Sequence, residues 1–391
     1  MKLRRFLIFI VGVSMVFNNM TFLPNYSLGL LASAFYLLAM SPFIPSLGKL
    51  GRRYGGFVWT LLIFVLLRTY INIMNYCGLD TPLFPFSNFM CILLMYFLLI
   101  HGLIDRKALS ICLYGIAFGG ILMAVLYTMG IGIRIDQNYR MSMFGENANS
   151  LGIYMGLSAI VILNNFTLND DLHMKKWRYL WLITFVPIAN LLFATGSRVA
   201  FLSFALSVVA IILFHPAGSK SGKLLLLIVG ILASVYTVNT LINTDSVIMR
   251  RLTDTIETGD TSARGEIAEK LLPYIPKSLI LGYGDTGYVE VAKATIGLHT
   301  QSIGASPHNV IIELLLLTGI VGLLLWLMFW YNIGKEAWIL FKKKRLLITG
   351  LILIPIFGII LTGQILEMKW AYIVYAYVMV EYFYYRNPQL S

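Results

Sequence analysis

Apolar residues in this chain come in blocks of about 16 to 25, the length a helix rising about 1.5 Å per residue needs to cross roughly 30 Å of hydrocarbon. Twelve such runs are found, near Phe6 to Phe22, Ser27 to Ile44, Gly56 to Ile73, Phe86 to Ile104, Ala108 to Gly130, Asn149 to Asn165, Tyr179 to Thr195, Val199 to Phe214, Leu224 to Ile242, His308 to Ile333, Leu346 to Leu366 and Trp370 to Tyr385. Blocks of this length exceed what soluble core helices need, and hydrophobic residues make up 58% of the 391 against 12% charged. The expected fold is therefore an all-α polytopic membrane protein, with about twelve transmembrane helices in a single integral membrane domain over residues 1–391. Lys2, Arg4 and Arg5 precede the first run in the manner of a signal peptide, but no small-x-small cleavage site follows, so it reads as a span.

The net charge of +12 serves orientation. Lysine and arginine cluster at alternate loops: Lys2, Arg4 and Arg5; Lys49, Arg52 and Arg53; Arg106 and Lys107; Lys175, Lys176 and Arg178; Lys220 and Lys223; Lys335 and Lys342 to Arg345; and Arg386. By the positive-inside rule these loops and both termini are cytoplasmic, and no nucleic-acid partner is implied. The segment 243–306 then becomes one large external loop. Its six Lys/Arg are outnumbered by eight Asp/Glu, so it is not a broad basic surface.

Other chemistries find little support. Cys77, Cys91 and Cys112 are an odd number and form no closed disulfide framework. No Cys/His spacing suggests zinc, and no glycine-rich phosphate loop is present, so neither a metal nor a cofactor is expected. Asp170-Asp171 sits beside Lys175 and Lys176 and reads as a solvated charge cluster.

The informative residues collect on the expected external face. Arg140 precedes Phe144-Gly145-Glu146-Asn147-Ala148-Asn149 at the entrance to the sixth span. Arg198 lies in Thr195-Gly196-Ser197-Arg198, a turn short enough to join the seventh and eighth spans at once, with Ser197 as a cap. Arg264 leads into Ile267, Ala268, Leu271 and Leu272, one apolar helical face stopped by Pro273 and suited to the membrane surface. Ser306-Pro307-His308-Asn309 opens the tenth span. Serine before proline is a strong helix start, so His308 is expected in the first turn, where the helix dipole favours its neutral ring. Glu313, one turn beyond Asn309, is a costly intramembrane carboxylate. Arginine binds phosphate oxygens with a planar fork, so several external arginines fit a diphosphate ligand.

His308-Asn309 followed by Gly319 and Gly322 resembles the signature of the O-antigen ligase and polymerase superfamily. Gly282-Tyr283-Gly284 is similar to that family's large-loop pattern, Thr195 to Arg198 to its Ser-Arg turn, and Phe144 to Asn149 to its Asn-rich segment, with Ala148 where proline is usual. The resemblance covers roughly residues 140–330, and the first five spans carry no matching motif. It implies a GT-C-like glycosyltransferase acting at the outer face of a bacterial inner membrane. Such an enzyme moves a glycan from an undecaprenyl diphosphate donor to an acceptor hydroxyl on a lipid-linked glycan or lipid A core, among membrane lipids and with a chain-length regulator as a further partner.

By the same resemblance His308 is the base or acceptor-orienting residue, Arg264 and Arg198 are diphosphate ligands, and Arg140 contacts sugar or phosphate. Asn149, Asn309 and Glu313 join them as substrate-binding residues, Glu313 either supporting Asn309 or lining a glycan cavity. Direct in-line attack inverts the anomeric centre, and arginines stabilise the leaving diphosphate without a metal. A repeat-unit polymerase is favoured because the large loop has no net basic patch for lipid A core and no added soluble domain holds a protein acceptor. An O-antigen ligase, a protein O-oligosaccharyltransferase and a non-enzymatic lipid-glycan flippase are the alternatives.

Overall fold

The computed structural model describes residues 2–23, 26–76, 83–135, 140–167, 178–214, 253, 264–296, 307, 309–344, 347–360 and 365–390. The ninth expected span Leu224 to Ile242, Cys77, the Asp170-Asp171 cluster with Lys175 and Lys176, Ser306 and His308 all lie outside them.

Helices dominate. In chain order they are α1 (Lys2–Val16), α2 (Leu28–Met40), α3 (Leu50–Tyr54), α4 (Thr60–Met74), α5 (Phe86–Ile104), α6 (Ala108–Thr128), α7 (Ala148–Thr167), α8 (Arg178–Ala194) and α9 (Arg198–Phe214). Next come α10 (Arg264–Leu271), α11 (Gly284–Ile296), α12 (Val310–Lys344), α13 (Leu347–Ile360) and α14 (Lys369–Arg386). Two antiparallel two-stranded ribbons are also present, β1 (Thr21–Leu23) with β2 (Tyr26–Ser27) and β3 (Ile133–Ile135) with β4 (Met141–Met143), together with 3-10 turns at Ser41–Lys49, Gly56–Trp59, Leu272–Ser278 and Pro388–Leu390. Every expected span that falls among the described residues contains a helix. Among the described residues five helices are long and apolar enough to cross a membrane: Leu28–Tyr54, Gly56–Met74, Phe86–Ile104, Ala108–Thr128 and Val310–Lys343. Shorter apolar helices occupy Ala148–Asn164, Ile183–Ala194, Arg198–Ile211 and Ile348–Ile360. The first expected span is corrected, since α1 ends at Val16 and Thr21 begins a strand.

The pattern of exposure is that of a lipid-facing molecule. On α4 the exposed stripe is Ile63, Leu66, Tyr70 and Ile73, at helical spacing, while Arg68 and Asn72 are buried. Charge inside and apolar stripe outside is the reverse of a soluble helix. The chain is an all-α membrane protein.

Two units divide the chain. The first comprises Met1–Pro42, Ile104–Gly259 and Trp338–Gly358. In it α1 and α6 meet through glycines, because a Cβ at Gly12 would strike the Cys112 carbonyl and one at Gly115 the Phe9 carbonyl. Backbones this close gain dispersion contacts, which replace the hydrophobic drive that lipid removes. Arg5 closes the other end of this pair with a two-pronged bond to Asp105, at 2.5 and 2.9 Å.

The second unit comprises Phe43–Leu103, Asp260–Ala337 and Ile359–Ser391. Its α12 is broken at Gly319, where φ is +63° and ψ −163°, a conformation reserved for glycine. Residues 279–283 are spliced into the break. The Ile320 and Val321 amides donate to the Leu279 and Ile280 carbonyls at 2.8 and 3.4 Å, and the Tyr283 amide donates to the Leu316 carbonyl at 2.6 Å. A backbone break among apolar residues is tolerated when another segment satisfies its polar groups. Gly319 and Gly282 are both required there: a Cβ on the first would strike the Ile280 carbonyl, and one on the second would come within 2.6 Å of the Thr318 nitrogen.

The helix expected on the membrane surface is also corrected. α10 forms and stops before Pro273 as its sequence predicts, but Leu271 packs with Ile275, Val291, Ile312 and Leu316, and Ile267 and Ala268 lean on the same cluster. Leu272 alone of that face points out, at 50% exposure.

Candidate functional site

In the first unit three separate sequence segments converge. The β3–β4 ribbon delivers Arg140 one residue before Met141. Its Nη2 donates to Asn149 Oδ1 at 2.6 Å and its Nε to the Thr195 carbonyl at 3.3 Å. Asn147 begins α7 by accepting the Ser150 amide at 2.9 Å, which sets Asn149 on the first turn. Phe144 (φ +49°) and Gly145 (φ +82°) reverse the chain ahead of it. Glu146 is buried and accepts from the Asn19 amide at 2.7 Å and the Asn19 side chain at 3.1 Å, anchoring the reversal to the end of α1.

The Thr195–Arg198 turn is as tight as its sequence requires. α8 ends at Ala194 and α9 starts at Arg198, with Gly196 at φ +60° between them. Ser197 caps α9, its Oγ accepting the Ala200 amide at 3.4 Å, and Arg198 is half-buried in the first turn. Gly152 lets α7 come up against this turn, since a Cβ there would come within 2.9 Å of Ser197 Cβ and Thr195 Oγ1. The structure thus joins Arg140 and Asn149 to the turn that carries Arg198.

Arg264, Asn309 and Glu313 belong to the second unit. Arg264 is placed by its backbone as the first residue of α10. The expected helix start at Ser306-Pro307 is corrected: α12 begins at Val310, and Asn309 is its cap, accepting the Ile311 and Ile312 amides at 2.9 and 3.2 Å. Asparagine's carboxamide takes the capping role expected of Ser306, three residues further on, and Pro307 lies before the helix. The Glu313 amide donates to the Asn309 carbonyl at 2.9 Å, closing the first turn.

Glu313 is buried within a polar cluster that the sequence reading missed. Arg68 on α4 grips Asp285 with Nε at 3.0 Å and Nη2 at 2.6 Å, and its Nη2 lies 3.6 Å from Glu367. Asn72, one turn on, donates to Asp285 Oδ2 at 2.6 Å and accepts the Asp285 amide at 2.8 Å. Gly284 makes room for this, its φ of +70° carrying the chain past Asn72 into α11. The charges of Arg68, Glu367 and Asp285 all act on Glu313. Arg68 Nη1 and Glu313 Oε2 are buried without a hydrogen-bond partner. The signal that would have found Arg68 was present: an arginine inside an apolar run marks a polar interior. On α11, burial raises the Tyr288 phenol above its ordinary range and keeps it neutral.

No curated protein matches this chain. A family model described as O-antigen ligase matches residues 183–327, which include Arg198, Arg264, His308, Asn309, Glu313 and the glycines of the α12 break, and leave Arg140 and Asn149 outside. The Thr195–Arg198 turn and the run from Pro307 to Gly322, two of the segments that carry the resemblance, both fall inside the match, and this stretch of the chain is similar to that family.

Proposed function

We propose that this protein is an inverting glycosyltransferase that moves a glycan from undecaprenyl diphosphate to an acceptor hydroxyl at the outer face of the bacterial inner membrane, and that it polymerises repeat units. The observation that carries this reading is the convergence of Arg140 and Asn149 on the turn bearing Arg198, inside a chain whose matched region also supplies Arg264 and His308. Arg198 and Arg264 hold the diphosphate and stabilise its charge as the glycosidic bond to phosphate breaks, which requires no metal. His308 takes the proton of the acceptor hydroxyl as its oxygen attacks the anomeric carbon. Arg140, steadied by Asn149, contacts sugar or phosphate. Asn309 sets the start of α12 beside His308, and Glu313 contacts the glycan. Twelve spans, cytoplasmic termini and the segment 243–306 as a large external loop on the periplasmic side complete the reading.

A second reading is ligation to lipid A core, favoured by the description of the matching family. Purified protein given lipid-linked repeat units, with and without lipid A core, separates the two: longer lipid-linked chains without core support polymerisation, and transfer only when core is present supports ligation. Arg198→Ala and Arg264→Ala are each expected to abolish transfer in protein that still inserts normally, with poor rescue by lysine. His308→Gln is expected to lose about 10²–10⁴-fold, because a carboxamide orients a hydroxyl but does not take its proton. Wild-type transfer in His308→Gln would remove the base.

A further inference from the structure

Several of the basic residues that orient the chain enclose a cavity in the second unit. Arg52 and Arg53 on α3, Lys335 and Glu336 near the end of α12, and Tyr382 and Arg386 at the end of α14 line a space of about 620 Å³. That volume lies within the roughly 300–1,000 Å³ typical of small-molecule sites. Four cations and one carboxylate give it a formal charge of +3, counting Arg52, Arg53, Lys335 and Arg386 against Glu336. Among the described residues none of the four cations makes an ion pair with a carboxylate. Glu336 is 6% exposed, and its buried Oε2 has no hydrogen-bond partner.

The cavity wall is fixed. The Tyr54 hydroxyl donates to the Leu99 carbonyl at 2.7 Å, and its ring lies 5.5 Å from that of Phe383. Arg386 sits 6.0 Å from the Tyr382 ring, which helps to hold its guanidinium at the rim.

Cations that serve only to orient a membrane protein need neither a cavity nor a buried carboxyl among them. Like charges gathered around a concave space raise its potential and favour an anion within it. Three guanidinium forks suit phosphate oxygens, and a buried carboxyl beside them suits the hydroxyl or ammonium donor that a headgroup carries next to its phosphate. We propose that this cavity binds a phosphate-bearing headgroup on the membrane face that the basic loops mark as cytoplasmic. The site uses none of the residues assigned to glycan transfer.

The test uses the full chain reconstituted in phosphatidylcholine bilayers containing either phosphatidylglycerol or phosphatidic acid, with retained lipid counted by native mass spectrometry. In parallel, thermal unfolding is followed with inorganic phosphate. Replacing Arg52, Arg53 and Arg386 together by lysine keeps the charges that set orientation, because the positive-inside rule counts both residues alike, and removes the forks. Retention of both anionic lipids is expected to fall about tenfold in that variant, the equivalent of one lost charge-assisted bond. Glu336→Gln is expected to weaken phosphatidylglycerol, which carries alcohol donors, and to leave phosphatidic acid, which lacks them. Stabilisation by inorganic phosphate that the lysine variant loses, with no lipid preference, would support a soluble phosphate in the same site. Equal lipid retention by wild type and lysine variant, with no response to phosphate in either, would overturn the proposal and leave the cations as orientation signals. An unchanged lipid preference in Glu336→Gln would overturn the role given to the carboxyl.

Discussion

The two polar clusters of the second unit lie near opposite ends of α12, and they are built on opposite charge balances. Near its start, Arg68 faces Asp285, Glu367 and Glu313, so one cation is met by three carboxylates. Near its end, four cations surround one carboxylate. Both clusters contain arginine and both contain a buried glutamate, so neither residue type nor burial tells them apart. Charge closure does. An arginine already clamped by a carboxylate holds helices together, whereas arginines left with a surplus of positive charge are equipped to receive an anion from outside the chain.

Five variants sharpen this contrast. The largest effect is expected from Arg68→Ala, which strands Asp285 and the neighbouring carboxylates; breaking a buried pair from one side costs about 3–5 kcal/mol. Arg52→Ala, at the open end, should stay within about 0.5 kcal/mol. Thermal unfolding of the two purified variants compares them directly, and equal losses would show that both clusters are structural. Next comes Gly319→Ala, expected to cost about 1–3 kcal/mol from backbone strain, with a steric clash against the Ile280 carbonyl added. The double variant Arg68→Met with Asp285→Leu removes both charges and should recover to within about 2 kcal/mol of wild type, the mark of a clamp rather than of a lone charge requirement. A gain rather than a loss is expected at Gly334, on the same helix as Gly319 but with nothing within 4 Å of where a Cβ would sit; alanine there should gain up to about 1 kcal/mol.

Helix positions were legible because crossing a membrane imposes a length and a composition that few other roles share. α5 starts and stops where its apolar run does, from Phe86 to Ile104. The Ser197 turn was legible for a similar reason, since two long runs separated by a few residues leave only a capped reversal. Glu313 was readable as a costly charge, but its surroundings were not, because Arg68 and Asp285 stand 217 residues apart and local pattern carries no record of that pairing. Arg68 itself was passed over when cations were counted by loop. The break in α12 was hidden more deeply. Gly319 lies in an unbroken apolar sequence, and the hydrogen bonds that permit the break come from Leu279 and Ile280, which read as an ordinary stretch before a glycine pair. His308 and Arg264 were legible only through motif, and their roles rest on the transfer assays above.

Residues 279–283 have a further consequence for how this region tolerates changes in length. Loops commonly accept an inserted residue, because slack in one place is taken up in another. Here the spacing from Leu279 to Tyr283 is measured against the backbone of α12, with Leu279 and Ile280 meeting Ile320 and Val321 on one side of the break and Tyr283 meeting Leu316 on the other. One added residue would move a carbonyl out of register and leave the Ile320, Val321 or Tyr283 amide without its partner. A scan of single-residue insertions should therefore find a short intolerant window at 279–283, invisible to a profile of hydropathy.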